Sequence, residues 1–127
     1  LRAERVRIET AVSNIANAET TRGPDGQPYR GRDVVLTSEP VGSFASALGD
    51  ATGVKVAAVV EDQAPFTKRY EPSHPDADAD GYVSMPNVDP AEEMVDMLGA
   101  TRAYQANLAA VGLIRDLMNR ALDLGKE

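Results

Sequence analysis

The sequence predicts an α+β fold in which two terminal helices flank a small β-rich middle segment. All eight prolines lie between Pro24 and Pro90, so both ends of the chain lack the residue that breaks helices. Apolar residues recur at helical spacing at both ends, whereas β-branched runs lie in the middle. We therefore divide the chain into an N-terminal helix at 1–22, a β-rich middle segment with loops at 23–88 and a C-terminal helix at 89–127.

The composition excludes several classes of protein. A chain of 127 residues fits one domain, and the absence of cysteine excludes a disulfide scaffold, a thiolate metal site and a cysteine nucleophile. The net charge of -7 argues against general nucleic-acid binding, and residues 61–100 alone hold ten acidic and two basic side chains. No apolar run approaches 18 residues, so we expect no membrane insertion. The chain starts at Leu1 rather than Met, which leaves room for upstream residues, and no cleavable signal pattern is visible.

The N-terminal helix is predicted from Leu1 to about Thr20. Its apolar stripe repeats at Leu1, Ile8 and Ile15, with Val12 on the same side, and Val6 falls off the stripe. Asn14 and Asn17 lie three residues apart on one side of the helix, where they mark a fraying end or bond a neighbouring backbone.

The middle segment contains four candidate strands. The first lies within 29–37, the second and strongest at 54–60, the third at 66–70 and the fourth at 81–85. Because only five residues separate the second from the third, these two could pair as a hairpin. Residues 39–53 are rich in Gly, Ser and Ala and are expected to form a flexible loop.

The C-terminal helix is predicted over about 35 residues, with Gly125 and Lys126 as its stop signal. Asp89 is the expected N-cap, Pro90 suits the first helical position, and Glu92 lies three residues after the cap. Apolar residues then recur at steps of mostly three and four, close to a heptad pattern, and the apolar surface widens beyond residue 108. A helix that is apolar on more than one side needs more than one partner. The members of this stripe are Met94, Met97, Leu98, Thr101, Tyr104, Leu108, Val111, Ile114, Met118 and Leu122.

One acidic loop resembles the start of a calcium site. Asp76, Asp78, Asp80 and Gly81 match the opening of an EF-hand loop, but position 12, which should be a bidentate Glu, is Asn87. A calcium-binding module is therefore the alternative function. The other interpretation of this loop is an acidic turn exposed to solvent. His74, the single histidine, lies between two prolines with no nucleophile motif elsewhere, so catalysis has little support and no cofactor is expected.

Several runs of residues together resemble one family. Residues 13–20 (SNIANAET) are similar to a signature near the N-terminus of rod and hook proteins of the bacterial flagellum. The resemblance extends through 23–30 (GPDGQPYR) and 61–66 (EDQAPF), becomes specific at 74–89 (HPDADADGYVSMPNVD) and continues at 93–97 and 100–107 (ATRAYQAN). It spans nearly the whole chain and is closest to the proximal rod members of this axial family, which usually have further residues before the position of Leu1.

The resemblance implies a structural protein that is not an enzyme. It implies export by the flagellar type III apparatus without a cleaved signal peptide, and polymerisation through the terminal helices into the periplasmic rod, which transmits torque. The implied partners are copies of itself, other rod proteins and the export apparatus.

The same resemblance leads us to expect that the two terminal helices form an antiparallel coiled pair. In this pair Met97, Tyr104, Leu108 and Val111 would face Ile8, Val12 and Ile15. Asn14, Asn17 and Asn107 would bond amides at subunit contacts, and Arg102 lies within the same packing run. We also expect the termini to be partly disordered before assembly.

Overall fold

The computed structural model describes residues 1–40 and 52–125, which form two helices and two small antiparallel sheets. Helix α1 spans Arg2–Ala16 and helix α2 spans Pro90–Leu124. The strands are β1 (Arg32–Pro40), β2 (Thr52–Glu61), β3 (Thr67–Tyr70) and β4 (Tyr82–Met85). The α+β architecture with a β-containing middle is as predicted.

Helix α1 is shorter than predicted, because Asn17 ends it. Asn17 has φ -108° and ψ 9°, and its Nδ2 donates to the Ser13 carbonyl at 2.9 Å. Its Oδ1 accepts a hydrogen bond from Thr20 Oγ1 at 3.2 Å. Asparagine side chains compete in this way for the backbone groups that a helix would use. The predicted continuation to about Thr20 is therefore wrong, and the chain turns after Ala16.

Strands β1 and β2 pair as a long ribbon with a bulge. Val35 pairs with Ala58 and Leu36 with Val56, so Ala57 is an extra residue in β2. Paired residues share a face of an antiparallel ribbon, so the bulge brings Val54, Val56 and Val59 to the same face as Val34 and Leu36. If every residue paired regularly from Val35 and Ala58 outward, Ala57 and Lys55 would take the places of Val56 and Val54. The bulge thus gives the ribbon one apolar face.

The predicted hairpin between the second and third strands is wrong. Strand β2 pairs with β1, and β3 pairs with β4, with Thr67 opposite Met85 and Tyr70 opposite Tyr82. Asp62 Oδ1 accepts a hydrogen bond from the Ala64 amide at 2.9 Å, a turn that leads the chain out of β2. The predicted loop at 39–53 also contributes its ends to strands, whereas its centre lies outside the described residues.

Helix α2 begins and ends where the sequence indicates. Asp89 Oδ1 accepts a hydrogen bond from the Ala91 amide at 2.8 Å, Pro90 occupies the first turn, and Gly125 is the C-cap. With 35 residues the helix is about 52 Å long, whereas α1, with 15 residues, reaches about 22 Å.

The core is small and lies where α1 meets its neighbours. Helix α1 packs on α2 and on both strands of the β1–β2 ribbon. Among the described residues, the buried side chains of the helices are Ala3, Ala11, Asn14 and Ala100, and those of β4 are Val83 and Met85. Since most of these are small, the helices can approach closely, but little apolar surface is enclosed.

Candidate assembly surface

Helix α1 contacts only the first part of α2. Asn14, near the end of α1, donates a hydrogen bond to Glu93 in the first turn of α2 at 2.7 Å. At the other end of α1, Glu9 raises the pKa of Arg5 through a hydrogen bond and its charge, and Tyr104 of α2 adds a smaller electrostatic contribution. Ala100 lies between Glu93 and Tyr104 and is fully buried. The covered part of α2 therefore corresponds to about residues 93–104.

Asn14 is the polar centre of this region. Its side chain is 1% exposed, and its amide makes four hydrogen bonds, which is the full capacity of the group. The Nδ2 atom donates to Glu93 Oε1 and to the Arg32 carbonyl at 2.9 Å, and Oδ1 accepts from the Tyr29 hydroxyl at 2.9 Å and the Arg32 amide at 3.0 Å. One side chain thus joins α1, the start of β1 and the start of α2.

Glu93 lies half-buried in the first turn of α2. Burial raises the pKa above its ordinary value, the hydrogen bond from Asn14 opposes this, and the charges of Asp96, Asp33 and Glu92 add to the rise. Glu93 and Asp96 line a small cleft of about 180 Å³, together with Arg7 and Asp33. Such a mixed-charge cleft indicates no particular ligand.

The predicted packing residues of α1 lie at different depths. Ile8, Ile15 and Asn17 are half-buried, Asn14 is buried and Val12 is exposed. Val6, which falls off the predicted stripe, lines a groove between α1 and β2. The stripe therefore describes one side of α1, and Val6 marks a second side, which faces the ribbon.

The predicted packing residues of α2 are half-buried at three positions, the last of which is Tyr104, and exposed at all the others. Met97, Thr101 and Tyr104 are half-buried, within the part that α1 contacts. Beyond it every described residue of α2 is exposed. The exposed members of the predicted set are Met94, Leu98, Arg102, Asn107, Leu108, Val111, Ile114, Met118 and Leu122, and Glu92 beside the Asp89 cap is exposed as well.

The second half of α2 presents a broad apolar surface, which we call the α2 apolar face. At 100° per residue its large side chains span about 220° of the helix circumference, with Arg115 inside this arc, and Asp116, Asn119, Arg120 and Asp123 lie on the remaining part. The exposed fractions of its large side chains range from 48% at Leu108 to 76% at Leu124. Apolar patches larger than a few hundred Å² mark interaction sites. Its large members are Leu108, Val111, Leu113, Ile114, Leu117, Met118, Leu122 and Leu124.

The acidic loop uses its carboxylates within the chain. Asp78 Oδ1 accepts hydrogen bonds from the backbone amides of Asp80 and Tyr82 at 3.0 and 2.8 Å. Asp76 accepts from Thr21 Oγ1 at 2.8 Å and lies 3.5 Å from Arg22. In the described ranges, no group of three His, Cys, Asp or Glu side chains is placed to hold a metal ion. The alternative of a calcium-binding module therefore has no support.

The sequence alone does not single out three residues that are important in the structure. Glu93 and Ala100 stand only within the runs 93–97 and 100–107, and Asn87 stands only as a failed calcium ligand. Ala100 lies three residues after Met97 and four before Tyr104, so the spacing alone could have identified it as buried. The roles of Glu93 and Asn87 depend on contacts between distant segments.

Within residues 1–40 and 52–125, neither helix has the length and hydropathy that crossing a bilayer requires.

Comparison with known proteins agrees with the resemblance seen in the sequence. Residues 79–124, which contain β4 and α2, match the family model described as flagellar basal body rod FlgEFG protein C-terminal. A relative from Salmonella typhimurium, named flagellar basal-body rod protein FlgC, is 48% identical over 127 aligned residues, which cover 99% of this chain and 90% of the relative.

More distant bacteria contain similar proteins of the same name. The Bacillus subtilis relative is 44% identical over 138 aligned residues, covering 99% of this chain and 91% of its own. The relative from Borreliella burgdorferi is 40% identical over 134 aligned residues, covering 96% and 88%. Identity of this degree over almost the full length shows that the chain belongs to the FlgC family of flagellar basal-body rod proteins.

Proposed function

We propose that the chain is a structural subunit of the flagellar basal-body rod, and that it assembles with other rod proteins through the α2 apolar face. Membership of the FlgC family supports the rod role and the location in the basal body. The observation that carries the choice of surface is the exposure of every large apolar side chain from Leu108 to Leu124. A subunit within a polymer can bury such a surface against its neighbours, at about 25 cal/mol per Å².

Within the subunit, α1 and α2 are proposed to form an antiparallel coiled pair. The Asn14–Glu93 hydrogen bond and the proximity of Arg5 to Tyr104 support this direction, because the end of α1 meets the start of α2. Half-buried Ile8, Ile15, Met97 and Tyr104 are the proposed contacts of the pair.

We propose different roles for the asparagine side chains inside the chain and for those at its surface. Asn14 and Asn17 both use their amides inside the chain, so their contribution to assembly is indirect. Asn107 and Arg102 are exposed on α2 and are the polar residues that we propose for subunit contacts. The exposed members of the predicted set beyond them, from Leu108 to Leu122, are proposed to contact neighbouring subunits.

We propose different roles for the terminal parts and the middle part of the chain. Residues 1–22 and 89–127 form the helical part that polymerises, and 23–88 form the part that projects from it. The partners are copies of the chain and other rod proteins, and the flagellar type III apparatus exports the chain. Torque passes through the packed helices, and no step of this role requires catalysis or a cofactor.

An assembly experiment tests the proposed surface. The variant Leu108→Asp, expressed in a strain that lacks the natural subunit, should fail to restore rods and swimming, because a charge would be buried between subunits. The matched control is Gln105→Asp, which introduces the same charge into the same helix on its polar side and should swim normally. Normal swimming of the Leu108→Asp strain, with the variant present in isolated basal bodies, would refute the assignment.

A further inference from the structure

The β1–β2 ribbon packs on α1 and is hydrogen-bonded to the helical part of the chain at one end, its root. The root consists of Gly31, Arg32, Glu61 and Asp62, where the Asp62 amide donates to the Gly31 carbonyl at 2.7 Å. Away from the root most described side chains of both strands are exposed, and Val54 reaches 66%. A groove of about 500 Å³ is lined by Val54, Val56 and Val59 of the ribbon and by Ala3 and Val6 of α1. Among the described residues, the hydrogen bonds from the ribbon to the helices therefore lie at its root.

Two asparagine side chains bind successive backbone amides of this root. Asn14 of α1 accepts from the Arg32 amide at 3.0 Å and donates to the Arg32 carbonyl at 2.9 Å. Asn87, in the segment between β4 and α2, accepts from the Gly31 amide at 2.9 Å. Its Nδ2 donates to the carbonyls of Asp62 and Ala64 at 3.2 and 3.3 Å. The two side chains therefore hold both strands of the root from two separate parts of the chain.

The surroundings of the root leave little space for movement. Gly31 is buried, and a Cβ atom on it would lie 3.3 Å from Val88 Cγ2 and 3.4 Å from the Asn87 carbonyl oxygen. Arg30 donates from Nη1 to the same two carbonyls as Asn87, at 3.2 and 3.3 Å, and its guanidinium lies 4.4 Å from the centroid of the Phe66 ring. Packing and hydrogen bonds thus constrain the same few backbone atoms.

We propose that Asn14 and Asn87 form an amide joint that fixes the direction of the β1–β2 ribbon relative to α1 and α2. A primary amide donates and accepts from one rigid planar group, so each side chain fixes both the distance and the angle of the backbone that it binds. The joint sets the angle at which the ribbon packs on α1 and thus the width of the groove between them. When the joint is broken, the ribbon swings about its root while its own pairing and the helices persist.

The experiment measures the direction of the ribbon in the full chain. Because the chain has no cysteine, Ala16→Cys and Thr37→Cys introduce two specific positions for spin labels, one at the exposed end of α1 and one on the exposed side of β1. Pulsed electron paramagnetic resonance then gives the distribution of the distance between the labels. The test variant is Asn87→Ala, because Asn14 also bonds α1 to α2 and its replacement affects more than the joint.

The control variant is Gln63→Ala, which removes an exposed amide-to-carbonyl hydrogen bond to Glu61 at the same end of the ribbon but breaks no link to the helices. We expect a narrow distribution of the distance between the labels in the chain with the joint unchanged and in Gln63→Ala. In Asn87→Ala the width should increase about twofold, with helix content unchanged in circular dichroism, as for a local opening of a folded chain. A distribution in Asn87→Ala as narrow as that of the control, or a broad distribution with both asparagines present, would overturn the proposal. This inference concerns the isolated chain, so its failure would leave the rod assignment untouched.

Discussion

Asn14 Nδ2 lies 2.7 Å from Glu93 Oε1, and this bond joins the last turn of α1 to the first turn of α2. Seventy-nine residues separate the two side chains in the sequence. The same amide also holds the first residue of β1, so the contact is the point at which three elements meet.

Removing the Asn14 amide should destabilise the folded chain strongly. In Asn14→Leu the Arg32 amide and carbonyl and the Tyr29 hydroxyl lose their partner in a buried place, which we expect to lower the free energy of unfolding by about 2 kcal/mol or more. Urea denaturation followed by circular dichroism measures this change. The control Asn107→Leu alters an exposed asparagine and should stay within about 0.5 kcal/mol of the parent. Equal effects of the two variants would contradict the central role of Asn14.

The raised pKa of Glu93 predicts a dependence of stability on pH. The folded state binds the Glu93 proton more tightly than the unfolded chain does, so this group favours folding at low pH. Its contribution falls as the pH rises from the ordinary value of 4.5 through the raised pKa. In Glu93→Gln this loss is absent, while an amide oxygen can still accept the hydrogen bond from Asn14.

The comparison requires urea denaturation of both proteins from about pH 4 to about pH 7. The stability of Glu93→Gln relative to the parent should increase across the lower part of this range and then become constant. Two curves that run parallel throughout would show that Glu93 is not the group responsible.

The N-cap of α2 should contribute measurably to stability. In Asp89→Ala the Ala91 amide loses its acceptor, and we expect a loss of about 1 kcal/mol in urea denaturation. Glu92→Ala is the matched control, because this exposed carboxylate lies in the same turn but is not the acceptor of the Ala91 amide, and the loss of its charge should cost about a few tenths of a kcal/mol. A larger effect at Glu92 than at Asp89 would contradict the assignment of the cap.

Deleting Ala57 should leave the two faces of the ribbon as they are. Without the extra residue Val56 follows Ala58 directly and stays opposite Leu36, and Lys55 stays on the other face. The rates of thiol labelling of Val56→Cys and of Lys55→Cys should therefore stay within about twofold of their values in the parent chain. A severalfold rise at Val56 together with a fall at Lys55 would show that Ala57 is not the extra residue of the bulge.

Features that depend on neighbouring residues could be predicted from the sequence, whereas those that depend on distant pairing could not. Asp89, Pro90 and Gly125 are local signals, and α2 begins and ends where they indicate. All four strands were located, because β-branched runs and turns are local too. The choice of partner for β2 was wrong, since the short connection to β3 favoured a hairpin that the turn at Asp62 prevents.

The same distinction between local and distant features applies to the candidate surface. The excess of apolar residues beyond residue 108 was visible in the pattern, and the packing role of these residues stays a prediction. The amide joint was invisible, because nothing near Asn87 in the sequence indicates that its side chain binds Gly31, 56 residues away. Asn14 could be recognised as an asparagine out of place in a helix, but its four partners could not.

The central claim, that the α2 apolar face contacts other rod subunits, is tested most directly by photo-crosslinking in intact basal bodies. A benzoylphenylalanine placed at Leu117 lies on this face, and the same group at the neighbouring Asp116 lies on the charged side as a control. The account predicts that irradiation joins the Leu117 position to another rod subunit with a higher yield than the Asp116 position. Crosslinking from the Asp116 position with none from the Leu117 position, when each variant is present in its own basal bodies, would contradict the account.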